Sequence, residues 1–401
     1  MAIRGFSIIR WVPRIMIATL PMVMPFSAVH AESAVTKALV EGTGSASLRY
    51  RYEIVDQEGI TEKAEASTVR TRIGYQTGEV ADFSAYVEFE DVSVVGSERF
   101  NSSANGLTAY PFVVDVESTE VNQGFVRYQP NGGTTVTAGR QRIIFDNARF
   151  VGNVGWRQNE QTFDALMVVN KSLPDTEVKY TYLGGVNNIK AQHIGISGQL
   201  LNISYSGLSA GKLTAYGYMF DYKNSIADSQ TLGLRFSGKQ PAGDLKLHYT
   251  AEFAMQNDFA DAPATVDADY TLLEAGVTVV GITTKLGYEV LGGDGIYGFA
   301  TPLATGHAFN GWADKFLNTP AAGLQDAYLS VEGQVAGVKL LAVYHEYSAD
   351  EGSADYGSEV NLLVAKKLSK HYAVGVKYAG YDAGTISVDT DKLWMWAQAS
   401  F

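Results

Sequence analysis

The stretch Ser47-Leu48-Arg49-Tyr50-Arg51-Tyr52-Glu53-Ile54 alternates without a break, apolar or aromatic at even positions and polar or charged at odd ones. A period of two marks an extended strand with one greasy and one wet face, because successive side chains leave the backbone on opposite sides. The pattern returns in Val69-Arg70-Thr71-Arg72-Ile73-Gly74-Tyr75, in Phe83-Ser84-Ala85-Tyr86-Val87-Glu88-Phe89-Glu90 and in Leu245-Lys246-Leu247-His248-Tyr249. Turn-forming clusters such as Pro130-Asn131-Gly132-Gly133 and Pro241-Ala242-Gly243-Asp244 separate segments of this kind.

Alternation alone does not separate a soluble sandwich from a membrane barrel. Three features do. First, Leu393, Met395, Ala397, Ala399 and Phe401 are apolar at period two and end on an aromatic, as the closing strand of an outer-membrane barrel does. Second, eighteen strands can be placed between residues 45 and 401, with sixteen as the alternative. Short turns near 78–81, 130–133, 171–176, 207–211, 239–244, 281–282, 334–337 and 368–371 alternate with longer connections, notably 93–119, 144–161 and 292–323. Short periplasmic turns opposite long outer loops are the pattern of a transmembrane barrel. Third, Tyr50, Tyr52, Tyr75, Phe83, Phe89, Tyr180 and Tyr182 share the apolar register, as aromatic girdles at the two membrane interfaces would. The fold class expected is therefore all-β: a closed antiparallel transmembrane β-barrel, greasy outside and wet within.

Residues 1–31 read as a secretory leader: Arg4, Arg10 and Arg14 precede the apolar run 15–26, and Val29-His30-Ala31 is a small-x-small cleavage site. Residues 32–401 are then one barrel domain in a bacterial outer membrane. The formal charge of −12 becomes −15 once those three Arg are removed. So acidic a chain is a poor nucleic-acid partner. With no Cys there are no disulfides, zinc-thiolate sites or thiol catalysis. The six His are scattered without an H-E-x-x-H, and Gly195-Ile196-Ser197-Gly198 lacks the spacing of a nucleophile elbow. No enzyme, cofactor or metal is expected. The turn Gly292-Gly293-Asp294-Gly295 has one carboxylate, too few for calcium, and reads as a loop bend. Loop 292–323 carries Phe309-Asn310-Gly311-Trp312-Ala313-Asp314-Lys315-Phe316. Its aromatics either anchor it inside the pore as a constriction, through Trp312 and Phe316, or pack it on the rim.

Arginine placement is the most informative chemistry. After residue 31 there are eleven Arg, ten of them before residue 158. Arg49/Arg51, Arg70/Arg72 and Arg140/Arg142 are i, i+2 pairs, each expected to share one face, and a charge on the lipid face costs several kcal/mol near the midplane. These six and Arg127 are therefore expected to line one wall of the lumen, with Arg149 and Arg157 extending the basic stripe toward the mouth. Lys179, Lys246, Lys285 and Lys377 fall on inward positions farther round. A guanidinium ladder suits carboxylate or phosphate. Alternatively, Glu53, Glu88, Glu90, Glu120, Glu252 and Glu289 neutralise it and leave a balanced, weakly selective pore.

Several stretches together resemble the alginate-export family of outer-membrane porins. They are residues 47–53, 69–72, Glu120-Val121-Asn122-Gln123, Gly139-Arg140-Gln141-Arg142-Ile143, Phe150-Val151-Gly152, Gly155-Trp156-Arg157-Gln158-Asn159-Glu160-Gln161-Thr162-Phe163-Asp164, 287–293 and 309–316. The resemblance implies an eighteen-stranded barrel with an electropositive channel for anionic polysaccharide, and carries over Arg49, Arg51, Arg70, Arg72, Arg127, Arg140 and Arg142. The periplasmic turns here are all short, leaving no long turn to plug the channel, so passive diffusion stands beside export. The expectation is a channel, monomeric or trimeric, for anionic solutes, alginate-like polyuronates among them. Its partners are then outer-membrane lipid and anionic oligosaccharides or small anions. A general porin is the alternative within transport, and a barrel-embedded hydrolase or an adhesin the alternative outside it.

Overall fold

The computed structural model describes residues 28–401 apart from 224–225 and 263–264, so most of the expected leader lies outside the described residues. A helix, α1 (Ala28–Val40), crosses the expected cleavage boundary and is followed by strands β1 (Thr43–Gln57), β2 (Ala64–Gln76), β3 (Phe83–Val94), β4 (Ser118–Tyr128), β5 (Thr134–Gln141), β6 (Thr162–Asn170), β7 (Thr176–Asn187), β8 (His193–Leu208) and β9 (Gly211–Tyr222). The second half of the wall is β10 (Ser229–Ala242), β11 (Leu245–Asp258), β12 (Asp267–Val279), β13 (Ile282–Leu291), β14 (Leu324–Val335), β15 (Val338–Ser348), β16 (Asp355–Lys367), β17 (Tyr372–Ala383) and β18 (Thr390–Ser400). Among the described residues these eighteen strands form one sheet in which each pairs with its sequence neighbours and β1 with β18. The seam runs antiparallel from Ser47↔Ser400 to Gln57↔Thr390, and Phe401 exchanges backbone hydrogen bonds with Ala46 at 2.8 and 3.1 Å. Closure leaves no strand edge in lipid, the condition a membrane sheet must meet.

Alternation sorts the residues as expected. Tyr50, Phe83, Phe89, Tyr180 and Tyr182 are exposed on the outer face, whereas Arg51, Glu53, Arg70, Glu88 and Glu90 are buried on the inner one. Short turns and the start of β1 share one end, the periplasmic end by the pattern of such barrels. Ala336-Gly337, with φ of 50° and 76°, is a two-residue turn of the kind that matches the right-handed twist of a hairpin. At this end Gly78 N donates to the carbonyl of Ala38 at 2.9 Å, and the Tyr75 hydroxyl donates to that of Leu39, seating the end of α1 on the rim. No described helix is long and apolar enough to cross a membrane.

The packed core lies inside the cylinder. Phe145, Phe150 and Val151 from one outer loop and Phe299, Leu303 and Phe316 from another pack on inward Tyr216, Tyr218, Tyr270, Tyr347 and Tyr381 of the wall. Phe150 stands 5.2 Å from Tyr216 and 5.3 Å from Tyr270, ring centre to ring centre.

Leu286, 65% exposed at mid-strand on β13, presents the lipid face. Leu286→Arg is expected to destabilise the barrel by about 2–4 kcal/mol. Thr283→Arg, at an inward position of the same strand, is expected to cost far less, both read by denaturant unfolding from lipid vesicles.

Candidate functional site

Three outer loops enter the lumen: 95–117 between β3 and β4, 142–161 between β5 and β6, and 292–323 between β13 and β14. The second and third hold each other. Gly152 N donates to Leu303 O at 2.9 Å, Thr305 N to Ala148 O at 3.0 Å, and Gln161 Nε2 to the carbonyls of Gly152 and Leu303 at 2.8 and 3.1 Å. Loop 292–323 then docks on the wall through Glu359, whose carboxylate accepts from Trp312 N and, at 2.8 Å, from Ala313 N. Gly311 makes that approach feasible: its φ is +87°, and a Cβ there would run into the Glu359 carboxylate and the Tyr347 hydroxyl. The loop is thus the inward constriction, not a rim decoration. The Gly292–Gly295 turn is a bend, with Asp294 accepting from Ile296 N and Tyr297 N at 2.8 Å each.

The expected arginine wall is present but mostly covered. Arg51 pairs with Asp115 of loop 95–117. Arg72 pairs with Glu90 and lies 3.2 Å from Glu160, which also takes Arg142 together with Glu88. Arg49 meets no carboxylate: it donates to Gln158 at 2.9 Å and to the carbonyls of Gly155 and Trp156 at 3.1 Å each. Arg70 is directly opposite Arg49 on the β1–β2 ladder and is buried, with Nε unpartnered. Arg149 and Arg157 do not extend toward the mouth; both are buried inside, Arg149 2.8 Å from Glu289 and Arg157 3.1 Å from Glu53 and 3.0 Å from Asp314. Arg127 faces the lumen near the periplasmic end, its guanidinium 5.2 Å from the Phe125 ring centre.

Arg140 departs from the expectation. It occupies the register of exposed Val126 and Ala138, the lipid-facing one, and pairs bidentately with Asp164 at 2.8 and 3.2 Å. The i, i+2 rule needs an unbroken strand, and β5 contains Gly139 at φ +126° and ends at Gln141. Arg142, beyond that end, turns inward while Arg140 does not.

One cluster escaped the sequence reading. Trp156, Trp312 and Trp394 surround the buried ammonium of Lys377, whose Nζ lies 4.4, 3.6 and 5.4 Å from their ring centres. His307 stacks on Trp156 at 5.1 Å and offers Nδ1 to Asp314 at 2.6 Å. Nε2 is then left to accept from Lys377 at 2.7 Å, which assigns the neutral Nδ1–H tautomer. Burial is the main cause that lowers His307 to about 3, against the pull of Asp314. Burial would raise Asp314, yet His307, Lys392 and Arg157 hold it well below the usual carboxylate range. Trp312 and Asp314 belong to the aromatic stretch noted in the sequence; nothing local to it pointed to Lys377.

The lumen left open lies toward the periplasm. A cavity of about 540 Å³ beneath Phe309-Asn310-Gly311-Trp312 is lined by Arg235, Lys239, His248, Glu274, Lys285, Glu332 and their neighbours. Lys179, Lys212, Lys246 and Arg127 share this inner half by register and are solvent-accessible. Lys239, Lys246 and Arg127 make no ion pair among the described residues, while Lys285 and Lys179 pair with Glu274 and Glu177 at 2.9 and 2.7 Å.

Residues 43–182 match the alginate export family. That span contains all nine candidate arginines between Arg49 and Arg157, and Glu160 with them. Among solved structures, the outer membrane protein OpdK of Pseudomonas aeruginosa superposes with a TM-score of 0.70 at 14% identity, over 90% of this chain and 99% of that one. OccK9 (OpdG) of the same organism gives 0.71 at 14% identity, over 91% and 99%. OccAB4 of Acinetobacter baumannii gives 0.68 at 12%, over 90% and 98%. No curated protein matches in sequence. The chain has the fold of these outer-membrane proteins, a closed barrel of eighteen antiparallel strands.

Because His307 is held neutral when the loop is inserted and titrates near 6.5 when released, the released state binds the extra proton. Stability of insertion is full above about pH 6.5 and declines as pH falls toward 3. Open-channel fluctuations in planar bilayers are expected to grow across that window, and His307→Gln to flatten the dependence.

Proposed function

We propose that the chain is a passive outer-membrane channel for anionic solutes, uronate oligosaccharides among them. The observation that carries this reading is the set of reachable, partly unpaired cations in the inner half of the lumen: Arg127, Lys179, Lys212, Lys239, Lys246 and Lys285. Against them stand Glu177, Glu274 and Glu332 of the wall and Asp146 of loop 142–161, which Lys212 meets at 3.3 Å. A surplus of fixed positive charge inside a low-dielectric wall raises the local concentration of anions and repels cations. The match to the alginate export family and the structure of OpdK with vanillate, a carboxylate, support the same choice of cargo chemistry. Residues 1–31 serve in this reading as the leader removed on secretion, and residues 32–401 as the working barrel.

A weakly selective porin is the second reading, and one observation favours it: Arg51, Arg72, Arg142, Arg149, Arg157 and Arg235 are all matched by carboxylates. Reversal potentials under a salt gradient decide between the two. Anion preference is expected, and Arg127→Gln, Lys239→Gln and Lys246→Gln combined should lower the anion-to-cation permeability ratio by about twofold or more. Arg140→Ala, outside the lumen, should leave the ratio unchanged. Cation preference in the unmodified channel would overturn the reading.

A further inference from the structure

Each of the three inserted loops places one carboxylate on a cation of the wall. Asp115 of loop 95–117 takes Arg51, accepts from Gln158 N at 3.2 Å and lies 3.4 Å from the Thr68 hydroxyl. Glu160 of loop 142–161 takes Arg142 and Arg72 and accepts from Asn122 and, at 2.8 Å, from Asn153. Asp314 of loop 292–323 takes Lys392 and Arg157 at 3.0 Å each, beside His307 at 2.6 Å. The wall cations concerned descend the barrel axis. Lys392 is opposite Val55, Arg51 lies below it on β1, and Arg72 is opposite Ser47, lower still. Between the last two levels Arg49 and Arg70 face each other with no carboxylate in direct ion-pair contact among the described residues, and the Arg70 Nε has no hydrogen-bond partner. Like charges directly opposite on a ladder are unfavourable unless something between them is anionic.

We propose that Asp115, Glu160 and Asp314 occupy latent carboxylate subsites of the channel, which a uronate oligomer takes over as its own carboxylates displace the loops. This rests on the proposed function and names the subsites within it. The physical argument is one of exchange. Removing a carboxylate from a buried Arg and leaving the Arg bare is costly, but replacing one carboxylate by another keeps the pair intact. Desolvation of the guanidinium has already occurred, and Arg49 with Arg70 gains a partner that the loops do not supply. A single uronate competes against a tethered loop and loses. A chain with a carboxylate on every sugar engages successive cations, so that after the first exchange the rest are intramolecular. The loops then act as an internal competitor that admits polymeric over monomeric anions.

The test is block of ion current in planar bilayers by a uronic-acid hexasaccharide, with glucuronate and maltohexaose as probes of length and charge. Glu160→Gln is expected to lower the half-blocking concentration of the hexasaccharide by about fivefold or more, one charge-assisted competitor having been removed. It should leave maltohexaose unchanged and glucuronate nearly so, and adding Arg72→Gln should cancel the gain. Glu332→Gln, which removes a lumenal carboxylate of the wall, controls for the general field. An effect of Glu160→Gln no larger than that of Glu332→Gln, or an equal gain for maltohexaose, overturns the proposal. Asp314→Asn is read in the same way should Glu160→Gln fail to assemble as a heat-modifiable barrel. Failure of the underlying function has a different signature: cation preference in wild type and variants alike.

Discussion

A strand in hydrocarbon can satisfy its N–H and C=O groups only on another strand, and that constraint orders everything else here. It forces the sheet to close through β1 and β18. Closure in turn makes alternation a sorting device, because one register has only lipid to face and the other only the interior. The charged register therefore collects inside, where Arg51, Arg70, Glu53 and Glu90 are all buried. A cylinder of this size wrapped around so many charges would be unstable if they faced one another unpaired, and the three inserted loops supply the partners.

The upper lumen consequently behaves like the interior of a soluble protein and the lower lumen like a vestibule. Above, aromatic side chains and matched ion pairs pack two loops against the wall, with Lys377 held by three indoles and an imidazole. Below, lysines stand in a cavity of about 540 Å³ and its surroundings. Buried ion pairs are weak evidence for stability but do fix geometry, since an orphaned partner is costly. The Asp314 carboxylate, shared by Arg157, Lys392 and His307, ties loops 142–161 and 292–323 to β18 in that way.

The frame was legible in the sequence because its signals are local. Strict alternation at residues 47–54, the apolar period-two register that ends on Phe401 and the Gly-rich turns pointed to eighteen strands with sixteen as the alternative, and the sheet has eighteen. Strand β9 was harder to read for its contents: Tyr216, Tyr218, Phe220 and Tyr222 face inward, so both its faces are apolar and alternation says nothing about which is which. Its inner face became legible only with Phe145 and Phe150 packed on it. Arg140 was misplaced because a single Gly with positive φ ended the regular strand. The covering of Arg49, Arg51 and Arg70 depends on where loops fold, and contacts across more than a hundred residues, such as Arg49 with Gln158, leave no mark in local periodicity.

The seam between β1 and β18 also sets the order of assembly. Ser47 and Ser400 are partners although more than three hundred residues separate them in the chain. Until β18 is available, β1 is an unsatisfied edge that cannot enter a bilayer without cost. A sheet in which only this seam is unformed presents two bare edges, β1 and β18. Contacts this distant are slow to find, so the same pairing that hides the last backbone groups from lipid is the one with the largest loop to close.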